Sequence, residues 1–185
     1  FTLTATPATD SLFTGWTGAC SGTTPACPIT MTQAQAVTAT FELIPPKLLS
    51  VQTQGQGTVT SFPTGIDCGI DCEQAYRPDT PVILTAQPNT HYLFSGWTGA
   101  CQGTMPDCQV TMSQAQTVTA TFTIKTYRLN VSKNGLGTGS VTGDGIDCGT
   151  DCSADYNANT VVTVTAQPAA DSLFVGWHGD CAGTA

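Results

Sequence analysis

The chain has 185 residues and a net charge of −8, with 5 Lys and Arg against 13 Asp and Glu, and only 10% of its residues are charged. Without a basic cluster it lacks the phosphate-neutralising groups on which nucleic-acid affinity rests, and it has no polybasic contact for anionic lipid. No apolar run approaches the roughly 20 residues of a membrane-crossing helix, so membrane insertion is not expected.

The chain repeats itself. Gly15-Trp16-Thr17-Gly18-Ala19-Cys20 returns as Gly96-Trp97-Thr98-Gly99-Ala100-Cys101 and again as Gly176-Trp177-His178-Gly179-Asp180-Cys181. Gly65-Ile66-Asp67-Cys68-Gly69 returns as Gly145-Ile146-Asp147-Cys148-Gly149. Self-similarity at a fixed spacing marks an array of like modules. Aligning Phe1 with Val82 and Val162 divides the chain into the C-terminal part of a first repeat (1–46), a complete second repeat (47–125) and the N-terminal part of a third (126–185). The expectation is a window on a longer array.

In chain order, Phe1, Leu3 and Ala5 alternate with polar residues, as one strand of the first repeat. Leu12 to Trp16 supplies a second, and Ala36-Val37-Thr38-Ala39-Thr40-Phe41 a closing one. The second repeat opens with a strand carrying Leu49 and Val51, then a Gly55-Gln56-Gly57 turn into a partner strand at Thr58 to Phe62. Val82, Leu84 and Ala86 follow, then Leu93 to Trp97, Cys108 to Met112, and Thr117 to Phe122. The third repeat restarts the series with Leu129 and Val131, the turn Gly135-Leu136-Gly137, and Val162, Val164 and Ala166. Period-two alternation, β-branched residues and frequent turn signals define an all-β protein. Met112 to Gln116 has room for a helical turn but not a helix. The linkers, Glu42 to Pro46 and Thr123 to Thr126, are short, so successive modules are expected end to end as a linear rod.

Nine cysteines at repeated spacings in small modules indicate disulfides and an oxidising, extracellular location. Each repeat offers two motifs: Cys68 with Cys72 and Cys101 with Cys108, matched by Cys148 with Cys152 and Cys20 with Cys27. Zinc is disfavoured, because the spacings are not those of paired metal knuckles and no histidine is in register. Four cysteines allow three connectivities, and we favour local pairs that fasten compact loops. Cys181 has no partner in the sequence; its counterpart by spacing falls near position 188, beyond the last residue given. An intermolecular link is the alternative.

Asp67 and Asp71, repeated as Asp147 and Asp151, invite a calcium reading, since carboxylates and backbone carbonyls together form such sites. The turn-forming tendency of Asp and Gly explains them as well, and no cofactor is expected. Trp16, Trp97 and Trp177 fall once per repeat and are expected to anchor the core; exposed, they would stack on a glycan. His91 aligns with Asp10 and Asp171, and His178 with Thr17 and Thr98, so neither belongs to a per-repeat active site. No acid, base and nucleophile gather on one motif, so no enzyme is expected.

The ordered series Leu-x-Val, Gly-x-Gly-Thr, Gly-Ile-Asp-Cys-Gly-x-Asp-Cys, Val-x-Leu/Val-Thr-Ala-x-Pro, Phe-x-Gly-Trp-x-Gly and Val-Thr-Ala-Thr-Phe resembles the divergent internalin-B B-repeat family of bacterial surface proteins. The resemblance covers essentially the whole chain. It implies a tandem module used as stalk or adhesion region, with a β-grasp-like fold as the alternative to a purely stranded one. Expected partners are neighbouring repeats, other copies in a fibre, or a host or surface glycan.

Overall fold

A computed structural model describes residues 1–181, with seventeen strands and no helix among them. In the first repeat these are β1 (Thr2–Thr4), β2 (Ser11–Gly18), β3 (Ala26–Pro28) and β4 (Val37–Leu43). The second contains β5 (Lys47–Gln54), β6 (Gly57–Phe62), β7 (Asp67–Cys68), β8 (Glu73–Tyr76), β9 (Pro81–Pro88), β10 (Tyr92–Gly99), β11 (Asp107–Thr111) and β12 (Gln116–Ile124). The third contributes β13 (Thr126–Asn130), β14 (Gly139–Gly143), β15 (Ile146–Asp147), β16 (Ser153–Asn157) and β17 (Val164–Pro168). The chain forms two compact units, Phe1–Pro88 with Phe94–Phe122, and Asn89–Leu93 with Thr123–Ala185.

In the first unit, the second repeat makes two four-stranded sheets, ordered β10-β12-β5-β8 and β11-β9-β6-β7. The alternation read from sequence decides their inner faces. Val82, Leu84 and Ala86 are buried on β9 while the residues between them are exposed, and Val118, Ala120 and Phe122 are buried on β12 with half-buried threonines between them. Leu49, Val59, Val82, Leu84, Met112, Val118 and Ala120 are fully buried, each large one stabilising by about 1.5–3 kcal/mol. The sheets meet through specific contacts. Gly57 leaves room for the Phe122 ring, which a Cβ there would approach to 2.5 Å. Tyr76 Oη and Ser61 Oγ lie 2.8 Å apart, and Ser61 Oγ accepts from the Ile66 N–H at 2.9 Å.

One pairing departs from the antiparallel pattern expected. β12 runs parallel to β5, with Gln116 opposite Leu49 and Thr121 opposite Gln54. The chain changes sheet at every connection from β7 to β12, and its last strand returns to the first sheet running the same way as β5. Parallel neighbours need a long crossover, and here the rest of the module supplies it. The possible helical turn at Met112 is instead a tight bend, in which Ser113 N–H donates to the Thr111 carbonyl at 2.9 Å and Met112 is buried.

The first repeat reproduces the latter half of the second. β1 pairs with β3 and β2 with β4, and Leu3 faces Cys27 as Leu84 faces Cys108. The expected linkers are taken up by strands in part, the first at Glu42 and Leu43 and the second at all but Lys125. β4 continues to Leu43 and β5 begins at Lys47, while β12 and β13 are separated by Lys125 alone. Within the first unit, Ile44 N–H donates to the Asp10 carbonyl at 2.9 Å, and the Asp10 carboxylate pairs with Arg77.

In the second unit, β13 pairs with β16 and β14 lies between β15 and β17, around buried Val141, Ile146 and Cys148. Lys125 N–H donates to the His91 carbonyl, and Ala158 N–H to the Lys125 carbonyl, both at 2.8 Å. The residue matching Ala158 in the second repeat is Pro78, which has no N–H to give. The turn alignment also needs correcting. Val59 faces Ala86 and Val141 faces Ala166, so β14 starts at Gly139, two residues later than the Gly-x-Gly match implies. The turn is longer by two and the next loop shorter by two, which restores the register at Cys68 and Cys148.

Candidate functional site

The repeated motifs converge on two fastened loops per complete module. The first follows β10. Trp97 is 3% exposed and Trp16 8% exposed, which places both rings inside and offers no face for stacking. Phe94 meets Trp97 edge-on with centroids 5.1 Å apart, and Phe122 lies 5.6 Å beyond it. Phe13 stands in the same relation to Trp16 and Phe41, at 5.2 and 5.6 Å. Trp177 is half-buried, with Phe174 at 5.1 Å.

Each buried indole also holds the loop beyond it. Trp97 Nε1 donates to the Met105 carbonyl at 2.9 Å, and its backbone N–H donates to the Gly103 carbonyl at 2.7 Å. Trp16 makes the matching bonds to Thr24 at 3.0 Å and Gly22 at 2.8 Å. The loops are closed by the disulfides Cys101–Cys108 and Cys20–Cys27, with Cα atoms 6.2 Å apart in each. The glycine after Trp-Thr is needed for backbone reasons. Gly99 has φ +96°, and a Cβ on it would run into the Thr117 carbonyl of β12. In its first two copies the Gly-Trp-x-Gly-x-Cys signature is thus a strand end, a core ring and a loop closure in one segment.

The second loop lies between β7 and β8. Cys68–Cys72 and Cys148–Cys152 close it, with Cα separations of 4.3 and 4.2 Å. Cys68 is buried, and its Sγ packs 3.7 Å from the Val51 carbonyl of the facing sheet. Asp67 and Asp71 exchange backbone hydrogen bonds at 2.9 and 2.7 Å, and Asp147 with Asp151 at 3.0 and 2.8 Å. The Asp71 carboxylate accepts from the Glu73 N–H, and that of Asp151 from the Ser153 N–H, each at 3.1 Å. These are turn-forming roles of the kind aspartate performs through its own backbone. Among the described residues no group of three or more His, Cys, Asp or Glu gathers where a metal would need them.

Other singled-out residues lie apart. His91 takes part through its carbonyl, and His178 is exposed. Cys181 is exposed, with no partner among the described residues. A shallow, open depression of about 260 Å³ over Trp16 is lined by Thr14, Thr17, Thr23 and Thr40. Sequence reasoning missed the junction residues Asp10 and Arg77, because the pair does not recur: His91 takes the place of Asp10 and Asn157 that of Arg77 at the next junction.

Disulfide-fastened, all-β modules in tandem are the class that this geometry defines. The chain belongs to the divergent InlB B-repeat domain family, whose model matches residues 1–45, 48–126 and 129–185. Membership makes it a repeat region of the bacterial-surface type, and its disulfides fit an extracellular or surface setting. No curated protein and no solved structure matches the chain.

Proposed function

We propose that the chain is a non-enzymatic spacer, a stretch of stalk or fibre outside a bacterial cell, whose first partners are the neighbouring repeats. The observation that carries this reading is the use made of the repeated residues. The paired cysteines close loops, Trp16 and Trp97 fill the core, and Asp71 and Asp151 cap their own turns. Residues repeated for chemistry would instead converge on an accessible cleft. The weak charge and Thr-rich outer strands suit a surface that must remain inert along its length. A glycan-binding role has less support, since the buried rings present no stacking platform.

Small-angle scattering on this chain, and on longer arrays of the same repeat, tests the spacer. The maximum dimension should grow linearly with the number of repeats, because each repeat contacts mainly its neighbours. A compact particle, with distant repeats packed together, would overturn the reading.

A further inference from the structure

The first and last strands of the complete repeat are parallel neighbours in the interior of one sheet. β12 is flanked by β10 and β5, and β5 by β12 and β8. Six residue pairs are in register, from Gln116 opposite Leu49 to Thr121 opposite Gln54. Parallel strands place the point where the chain enters the repeat, at Lys47, and the point where it leaves, past Phe122, at opposite ends of one ladder. Tension applied along the chain pulls β5 backwards and β12 forwards. The ladder is then loaded along the strands, so its hydrogen bonds must yield together. An antiparallel terminal pair loaded at one end would open one bond after another.

The disulfides leave this load path intact. Both are local, Cys68–Cys72 with a separation of 4 and Cys101–Cys108 with a separation of 7, and neither joins β5 to β12. No covalent bridge therefore bypasses the ladder. Buried packing backs the same strands. Leu49, Val51, Val118, Ala120 and Phe122 all face inward at 3% exposure or less. Water is thereby kept from the inner side of the ladder while it is under load.

We propose that the β5–β12 pair is a mechanical clamp, and that the repeat bears force as well as spanning distance. The clamp gives a surface spacer a rate of unfolding under load that its equilibrium stability does not set, since forced unfolding follows the unfolding rate. It rests on the reading of the chain as a spacer, yet the two fail separately: scattering tests the spacer, and force tests the clamp.

The test is single-molecule pulling of the full 185-residue chain through non-cysteine handles, which leave the disulfides undisturbed. Handles at Pro46 and Thr126 load the parallel pair in shear. Handles at Pro46 and Arg77 pull at one end of the antiparallel β5–β8 pair, where Lys47 faces Tyr76, and peel it open. Rupture in the first geometry should need severalfold more force than in the second. Equal forces, or a weaker first geometry, would overturn the clamp. A pair of truncations gives an independent reading in the first geometry. Val110→Ala and Val118→Ala remove the same groups from positions 2% and 0% exposed, one on β11 and one inside the clamp. The clamp requires Val118→Ala to lower the rupture force more; equal lowering would count against it.

Discussion

The indole nitrogen of Trp97 donates to the carbonyl of Met105 across the loop that Cys101 and Cys108 close. One side chain therefore does two jobs, filling the space beside Phe94 and pinning an otherwise exposed loop to the sheet. Replacing it separates them. Trp97→Phe keeps most of the ring burial and loses the hydrogen bond, at a cost of about 1 kcal/mol. Trp97→Ala should cost about 3–5 kcal/mol through the cavity it opens. Denaturant unfolding of the intact chain measures both, and equal losses would mean that the bond, not the ring, carries the stability.

The two kinds of loop predict what reduction does. Closing separations of 4 and 7 residues restricts the unfolded chain by about 2 kcal/mol each, on the chain-entropy model. Cys68→Ala/Cys72→Ala and Cys101→Ala/Cys108→Ala should each lower stability by about that amount while leaving the far-ultraviolet spectrum that of a β-protein. Loss of that spectrum on removing either bridge would show that the sheets depend on the staples.

The same bridges shorten the chain that force can release. Loops of 4 and 7 residues at about 3.6 Å per residue, less their Cα spans of 4.3 and 6.2 Å, hide roughly 30 Å. Reduction should lengthen the unfolding step of the second repeat by that amount. A much larger gain would mean that the cysteines are bridged between motifs rather than within them.

Two glycines, one ending β10 and one in the loop beyond it, separate backbone conformation from space. Gly103 has φ +122° with nothing within 4 Å of an added Cβ, whereas a Cβ on Gly99 meets the Thr117 carbonyl. Gly103→Ala should cost about 1–2 kcal/mol from its left-handed backbone alone. Gly99→Ala should cost clearly more, because β12 must also move. Thermal unfolding of the two variants gives the comparison, and equal costs would show that β12 gives way freely.

Arg77 and Asp10 join the first and second repeats at the surface, with side chains 71% and 35% exposed. Exposed pairs contribute about 0–1 kcal/mol. Arg77→Ala should accordingly leave the melting temperature almost unchanged. A large fall would show that the junction is part of the folding core.

Much of this architecture is local and is therefore written in the sequence. Val82, Leu84 and Ala86 alternate with polar residues because a strand turns successive side chains to opposite faces, so the pattern alone predicts both the strand and its buried side. The cysteine loops are legible for a similar reason: partners 4 and 7 residues apart are neighbours whatever the rest of the chain does. The burial of Trp97 follows from the need of so small a module for a large apolar anchor.

Other features depend on contacts between residues far apart in sequence. Strand β8, with only Tyr76 buried, has no alternation to announce it and exists because β5 lies beside it. The two-residue displacement of β14 becomes visible only when Val141 is seen opposite Ala166, since repeated glycines align equally well without it. Alternation says which face of β5 and β12 is buried, but not that Val51 lies beside Val118, nor that the strands run the same way. Side-chain period is identical in parallel and antiparallel pairs. The direction of a neighbour is decided by the path of the intervening chain between two sheets, and only the tertiary structure contains that path.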